Sequence, residues 1–259
     1  MCRGHGAILE GHRHRYHLAI STFVLVHGAM HGSWCWRDVR RRLTEGGHQV
    51  FTPTLTGQGD RRSSCTPEVG VSTHVTDISD LLWFEDLTEV NLVLHSYAGI
   101  LAGPIVTRSA DRVDSVTLLG GFITRPGECL LDVEPDEVAA RYRRQAEDSG
   151  GGWLIPADPS FLTQWGVTDG DLAAWVGPRL TDFPLRCQTE PTTFDQASLA
   201  RVRRAYVRHT DPPLASLERS HRRAVSDGWD CRDVTAGHDM MLEVPDIVAG
   251  LLVELAAAP

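Results

Sequence analysis

Apolar residues along the chain alternate between two rhythms. Short β-branched and aromatic runs predict strands at 21–28 ("STFVLVHG"), 48–55 ("HQVFTPTL"), 90–96 ("VNLVLHS") and 114–122 ("DSVTLLGGF"). Between them lie longer stretches with helical spacing. One starts at Ser33, a good N-cap, and stops at Gly46-Gly47; another covers 72–84 with Ser72 as cap; a third covers 99–110. The strand runs lack a clear period of two, as expected of a parallel sheet buried on both faces. The rhythm breaks near 123, where two helical stretches (135–149 and 169–180) are joined by loops rich in Gly, Pro and aromatics. It then resumes with a strand at 200–210, a helix at 214–227, a strand at 229–237 and a closing helix at 246–257. These elements predict an α/β fold: a mostly parallel sheet flanked by helices, with an inserted helical cap. The core is assigned to 21–122 and 200–259, the cap or lid to 123–199, and residues 1–20 to a flexible N-terminal extension.

In an open parallel sheet, chemistry gathers at the carboxyl ends of the strands. Ser96 stands where the third predicted strand runs into a helix, the context a nucleophile elbow requires. The helix would aim its free N–H groups at the same spot. A plain N-cap serine is the simpler alternative, but a cap needs neither the His27-Gly28 loop nor a late histidine. His238 follows the last strand and supplies a base that works near neutral pH. Chain order places the acid between the two. Asp211 ends the preceding strand and is the first candidate; Asp195, Asp230, Asp233 and Glu218 are weaker ones. The glycine-bearing loop "HGAMHGSW" can offer an oxyanion the backbone N–H of Ala29, with Tyr97 supplying the second donor. Met30 and His31 would then line the pocket, joined by the cap aromatics Trp153, Trp165 and Trp175, which could equally be cap core.

Composition narrows the alternatives. The chain has 259 residues, 42% of them hydrophobic and 23% charged, with a formal net charge of -9, so it shows no basic footprint for nucleic acid or an anionic membrane. No apolar segment is long enough to span a bilayer. The six cysteines (2, 35, 65, 129, 187 and 231) form no C-x-x-C pair, which suits reduced thiols in a cytoplasmic protein. No metal site is expected: no carboxylate or cysteine completes a ligand set at fixed spacing with His5, His12, His14 and His17. The N-terminus has no apolar h-region and does not read as a secretory signal.

With these motifs the sequence resembles the α/β-hydrolase superfamily, and within it the branch of methyl esterases, hydroxynitrile lyases and allied small bacterial hydrolases. The resemblance rests on "FVLVHGAMHGSWCW", "PTLTGQGDR", "LHSYAG", "LTDFPL" and "GWDCRDVTAGHDMMLEVPD", in that order from about residue 22 to the C-terminus. It implies Ser96 as nucleophile, His238 as base, Asp211 near the end of the strand that often supplies the acid, and Ala29 and Tyr97 as oxyanion donors. Three departures stand out. The relatives' GHSYGG is LHSYAG here, so Leu94 must fit where strand and helix crowd together. Their Asp-Ala-Phe is Gly120-Gly121-Phe122, which removes an alternative acid and makes Asp211 more necessary. Hydroxynitrile lyases carry a lysine after the histidine and a threonine in the first loop; Asp239 and Ala29 stand there, which disfavours cyanohydrin cleavage.

The expected activity is therefore cofactor-independent hydrolysis of a carboxylic ester, thioester or lactone of a small to medium, partly apolar substrate through an acyl-enzyme. Two rivals use the same residues differently: a lyase or elimination enzyme of a biosynthetic pathway, and a ligand-binding receptor on a retired hydrolase fold. A small-molecule substrate is the expected partner, with no nucleic acid and no membrane, and a homodimer is allowed.

Overall fold

A computed structural model describes residues 20–258. The N-terminal extension up to residue 19, with its four histidines and Cys2, lies outside the described residues. In chain order come β1 (Thr22–Val26), α1 (Arg37–Glu45), β2 (Gln49–Phe51), α2 (Val71–Phe84), β3 (Val90–His95), α3 (Ala102–Arg108) and β4 (Val113–Leu119). Next are α4 (Asp136–Ser149), β5 (Leu154–Ile155), α5 (Ser160–Gln164), α6 (Gly170–Val176), β6 (Phe183–Pro184), α7 (Arg186–Thr189) and α8 (Gln196–Arg201). The chain closes with β7 (Arg203–His209), α9 (Glu218–Ser226), β8 (Asp230–Val234), α10 (Met240–Glu243) and α11 (Pro245–Ala257).

Six strands form one sheet in the order β2-β1-β3-β4-β7-β8, every neighbouring pair parallel. All carboxyl ends therefore share one edge. The chain reverses its direction of travel across the sheet between β1 and β3, which opens a crevice outside their ends. Because β4 and β7 are neighbours, the segment between them leaves the sheet and returns to it. Within it only β5 and β6 pair further, antiparallel and two residues long on each side.

Why the strands hide their alternation is clear from packing. Phe23 and Leu25 of β1 join one buried cluster with Trp36, Val39 and Leu43 and with Val248 and Leu252 of α11. Val24 and Val26 point the other way, into a cluster with Val75 and Ile78 of α2 and Ile105 of α3. Both faces are dry, so both registers must be apolar. Leu130, Phe161, Trp165 and Phe183 belong to the second cluster, so the segment from 123 onward shares the core of the sheet. The five described cysteines (35, 65, 129, 187 and 231) are free thiols. Among the described residues no helix is long and apolar enough to cross a membrane.

Element boundaries differ from the sequence reading where turns start helices early. A 3-10 turn at Ser33–Trp36 precedes α1, and extended Gly32 rather than Ser33 flanks it. The Ser33 N–H instead donates to Thr54 Oγ1 at 3.1 Å. Gly70, not Ser72, precedes α2, where the Gly70 N–H donates to Thr73 Oγ1. The helix after Ser96 also opens as a 3-10 turn, Ser96–Leu101. The short α5, α7, α8 and α10 carry too few turns to show a period in sequence.

Leu94 fits without crowding. It is fully buried in the α2/α3-side cluster, in register with Val26 and Leu118. The tight approaches fall elsewhere: a Cβ on Gly99 would stand 2.5 Å from the Phe122 carbonyl oxygen and 2.7 Å from its nitrogen. Gly250, within α11, has nothing within 4 Å of such a Cβ. Gly99→Ala is therefore expected to destabilise by about 1–3 kcal/mol through overpacking, and Gly250→Ala to stabilise by about 0.5–1 kcal/mol through helix propensity. Urea unfolding of the two variants against wild type checks both signs.

Candidate active site

Ser96 follows directly on β3 with φ 54°, a left-handed conformation that a non-glycine residue adopts only when its surroundings enforce it. Several contacts do so. Its carbonyl accepts the Phe122 N–H at 3.0 Å. The ring of Tyr97 is buried beneath it, with its hydroxyl donating to His74 Nδ1 at 2.9 Å while His74 Nε2–H donates to the Thr56 carbonyl. Gly28 lets the β1 loop close onto the turn, since a Cβ there would lie 2.8 Å from Ser96 Cβ and 2.9 Å from His95 Nδ1. The result aims Ser96 Oγ at His238 Nε2, 2.9 Å away. A serine hydroxyl donating to Nε2 leaves the ring hydrogen on Nδ1.

The β1 loop is held by two histidines in opposite charge states. His27 Nδ1–H donates to the Gly28 carbonyl at 2.8 Å, and its Nε2 accepts the Leu55 N–H at 3.0 Å, so the ring is neutral. Burial agrees, pulling its pKa down to about 3. His31 meets an acceptor on both nitrogens: the Ala29 carbonyl at 2.8 Å and Asp239 Oδ2 at 3.3 Å. Burial pulls the His31 pKa down, but the adjacent Asp239 carboxylate outweighs it and the net shift is upward. Asp239 is fully buried; burial pushes its carboxyl up, and His31 with its neighbours overcomes that and holds it below the usual range. This ion pair ties the β1 loop to the loop carrying His238. Ala29 and Tyr97 line one cavity with Ser96 and His238. Neither amide N–H has a hydrogen-bond acceptor among the described residues, as oxyanion donors require.

The main chain of His238 is fixed from two sides. Its N–H donates to the Trp165 carbonyl at 2.6 Å, and its carbonyl accepts His95 Nε2–H at 3.0 Å. Its Nδ1 is buried and has no partner among the described residues. Asp211 does not reach it. The strand β7 ends at His209, and Asp211, whose N–H donates to the Ala236 carbonyl, sits beyond that end beside two prolines with its side chain exposed. Expecting an acid at the strand's end misjudged that end by two residues. The ring of His209 stands there instead, 5.0 Å from the His238 ring between centroids. Gly120 flanks both, since a Cβ on it would lie 3.1 Å from His238 Nδ1 and 3.2 Å from His209 Nδ1. Burial lowers His209 to about 4, so it is neutral too. The other acid candidates are engaged elsewhere: Asp195 caps α8, Asp230 pairs with Arg232, Asp233 with Arg208, and Glu218 with Arg222. His238 itself lies well below the ordinary histidine value, through burial first and then through His95, His209 and His31.

Of the expected pocket residues, His31 and Trp165 line this cavity. The others do not. Met30, with φ 65°, is buried in the α2/α3-side core. Trp153 borders a separate groove with Arg62 and Asp182, and Trp175 packs on Trp34 between Arg37 and Arg179. The remaining wall comes from Phe122, Leu130, Glu134, Tyr142, Gln164, Gln188, Leu214 and Ser216. The polar ones among them, Glu134, Tyr142, Gln164, Gln188 and Ser216, are scattered along the chain with no spacing in the sequence to mark them.

Comparison with known proteins agrees with this architecture. The profile of the alpha/beta hydrolase family matches residues 23–251. The chain is 30% identical over 247 residues to the carbendazim hydrolyzing esterase of Nocardioides sp. (strain SG-4G), covering 91% of this chain and 100% of that protein. It is also 30% identical over 257 residues to methylesterase 7 of Arabidopsis thaliana, covering 90% and 95%. Among solved structures, an extracellular α/β-hydrolase from a Paenibacillus species superposes with a TM-score of 0.79 at 19% identity, covering 91% of this chain and 98% of that one. The chain belongs to the α/β hydrolase family. It is an enzyme of the ester-hydrolase type within that family.

The buried neutral histidines set an acid limit on stability. His27, His95 and His209 have folded pKa values of about 3, 4 and 4 against 6.5 unfolded. Their contribution is fully present above 6.5 and is lost as pH falls toward the folded values, at up to about 1.4 kcal/mol per pH unit for each. His31 is raised and acts oppositely: its contribution is present below 6.5 and is lost as pH rises through its folded value. The urea midpoint is expected to peak near neutrality and to fall steeply from pH 6.5 to 4.5. A flat midpoint over that acid range would refute the neutral-histidine assignment.

Proposed function

We propose that the protein hydrolyses a carboxylic ester through an acyl-enzyme on Ser96, with His238 as general base and no carboxylate on its Nδ1. The observation that carries this reading is the Ser96 Oγ to His238 Nε2 contact of 2.9 Å on a left-handed turn. His238 takes the hydroxyl proton as Oγ attacks the acyl carbon. The developing oxyanion is met by the Ala29 and Tyr97 N–H groups. On collapse, His238 Nε2 returns the proton to the departing alcohol. A water then enters along the same path and gives its proton to His238 as it attacks the acyl carbon, and His238 passes that proton to Ser96 Oγ as the acid leaves. Residues 123–199 act as the lid over this cavity, with Trp165 holding the His238 main chain from that side.

The imidazolium formed in each half-reaction gains no hydrogen bond at Nδ1, so orientation of His238 comes from its backbone contacts to Trp165 and His95. Ser96→Ala is expected to abolish labelling by a fluorophosphonate probe and to lower kcat/KM on a methyl ester by at least about 1000-fold. Asp211→Asn is expected to change kcat/KM less than about threefold. A loss of 100-fold or more would restore Asp211 to the mechanism. Since His238 is held below 6.5, the acid limb of kcat/KM is expected below pH 6.5, and an inflection above 7 would contradict the site's electrostatics.

The unpartnered Nδ1 also supports one rival on the same residues, in which His238 moves protons for an elimination without an acyl-enzyme. Reaction in oxygen-18 water separates them: hydrolysis places one label in the acid product, and elimination places none.

A further inference from the structure

The cavity lining carries polar atoms that the mechanism does not use. Glu134 stands just before α4, 7% exposed, and its Oε2 is buried without a hydrogen-bond partner among the described residues. Gln188 of α7 is 4% exposed, and its Oε1 is likewise unpartnered. Both side chains line the same cavity as Ser96 and His238. Arg141, the cation nearest in sequence on α4, makes no ion pair with Glu134, and its Nε and Nη2 are themselves without partners. Leaving buried acceptors unpaired is costly unless a ligand supplies the donors. The two orphans in the cavity lining, Glu134 Oε2 and Gln188 Oε1, can both accept, and the rings of Phe122, Tyr142 and Trp165 border the same space. What completes such a wall is a flat group carrying N–H donors.

We propose that Glu134, assisted by Gln188, recognises an N–H donor on a planar aromatic or amidine-like acyl group, so that the preferred substrates are esters of nitrogenous acids. This assignment rests on the ester-hydrolase reading of Ser96. Burial pushes the Glu134 carboxyl up to about 7, with Ser216 and Arg141 pulling it back, so the site holds a carboxyl that a substrate N–H draws toward its ionised form. A hydrogen bond to a charged acceptor discriminates by about tenfold to a hundredfold against an isostere that lacks the donor.

The test compares methyl indole-2-carboxylate with methyl benzofuran-2-carboxylate, which share shape and differ by N–H against ring oxygen. Wild type is expected to favour the indole ester at least about tenfold in kcat/KM. Glu134→Ala should bring that ratio toward one, and Gln188→Met should lower it by a smaller factor. A wild-type ratio near one, or a ratio that survives Glu134→Ala, overturns the proposal. Calorimetric binding of the two esters to Ser96→Ala reads the same discrimination without turnover. If binding discriminates while neither wild type nor fluorophosphonate shows a reactive serine, the hydrolase reading fails and the recognition stands. If Ser96 is labelled and the two esters bind equally, the recognition fails and the hydrolase reading stands.

Discussion

Holding a residue with a Cβ in the left-handed region costs about 1–2 kcal/mol, and the carboxyl edge of this sheet is arranged so that Ser96 meets that cost. The parallel pairing of β1, β3 and β4 brings three loops to one edge, and glycine stands wherever they would collide. Gly28 admits the β1 loop against Ser96, and Gly99 admits the helix against Phe122. The buried Tyr97–His74–Thr56 chain fills the space beneath with satisfied hydrogen bonds. Strain at one residue is thus spread over contacts from five segments. That is why the Ser96 hydroxyl can both line the cavity and be fixed in direction.

Electrostatics at the same edge follow from burial. Four histidines, at 27, 95, 209 and 238, are held below the ordinary value, burial being the largest cause at each. One carboxylate, Asp239, is buried among them and charges only His31. In a triad the carboxylate sits on Nδ1 of the base and stabilises its cation. Here the buried carboxylate is one residue further along and braces the Ala29 carbonyl by way of the His31 ring, while Nδ1 of His238 has no partner among the described residues.

Much of this was legible in the residues. The order of strands and helices, the parallel sheet, and the placement of Ser96 and His238 at strand ends follow from apolar runs punctuated by glycine, because backbone pairing and burial act locally on those runs. The acid was not legible. Chain order and a strand end led to Asp211, but whether a carboxylate two residues past a strand faces inward depends on the turn that follows, and here Asp211 is exposed. The cap was legible only as a break in rhythm. Trp153 and Trp175 proved to pack elsewhere, while Glu134 and Gln188 reach the cavity from short turns whose direction is set by tertiary packing.

Leu94 and Gly120 together explain how the family's motif can change without losing its geometry. A glycine two residues before the nucleophile is needed only if that side chain faces the crowded edge, and in this sheet Leu94 faces the α2/α3-side core between Val26 and Leu118. Gly120 does the reverse. It takes a left-handed φ of 51° beside both His238 and His209, where a Cβ would press on each Nδ1. A side chain there would have to displace both rings by a few tenths of an ångström as well as adopt a left-handed backbone, so glycine at that strand end suits the packing of His209 beside His238. His238 is held well below the ordinary histidine value by burial and then by the neighbouring rings of His95, His209 and His31, and among the described residues no anion on its Nδ1 opposes them.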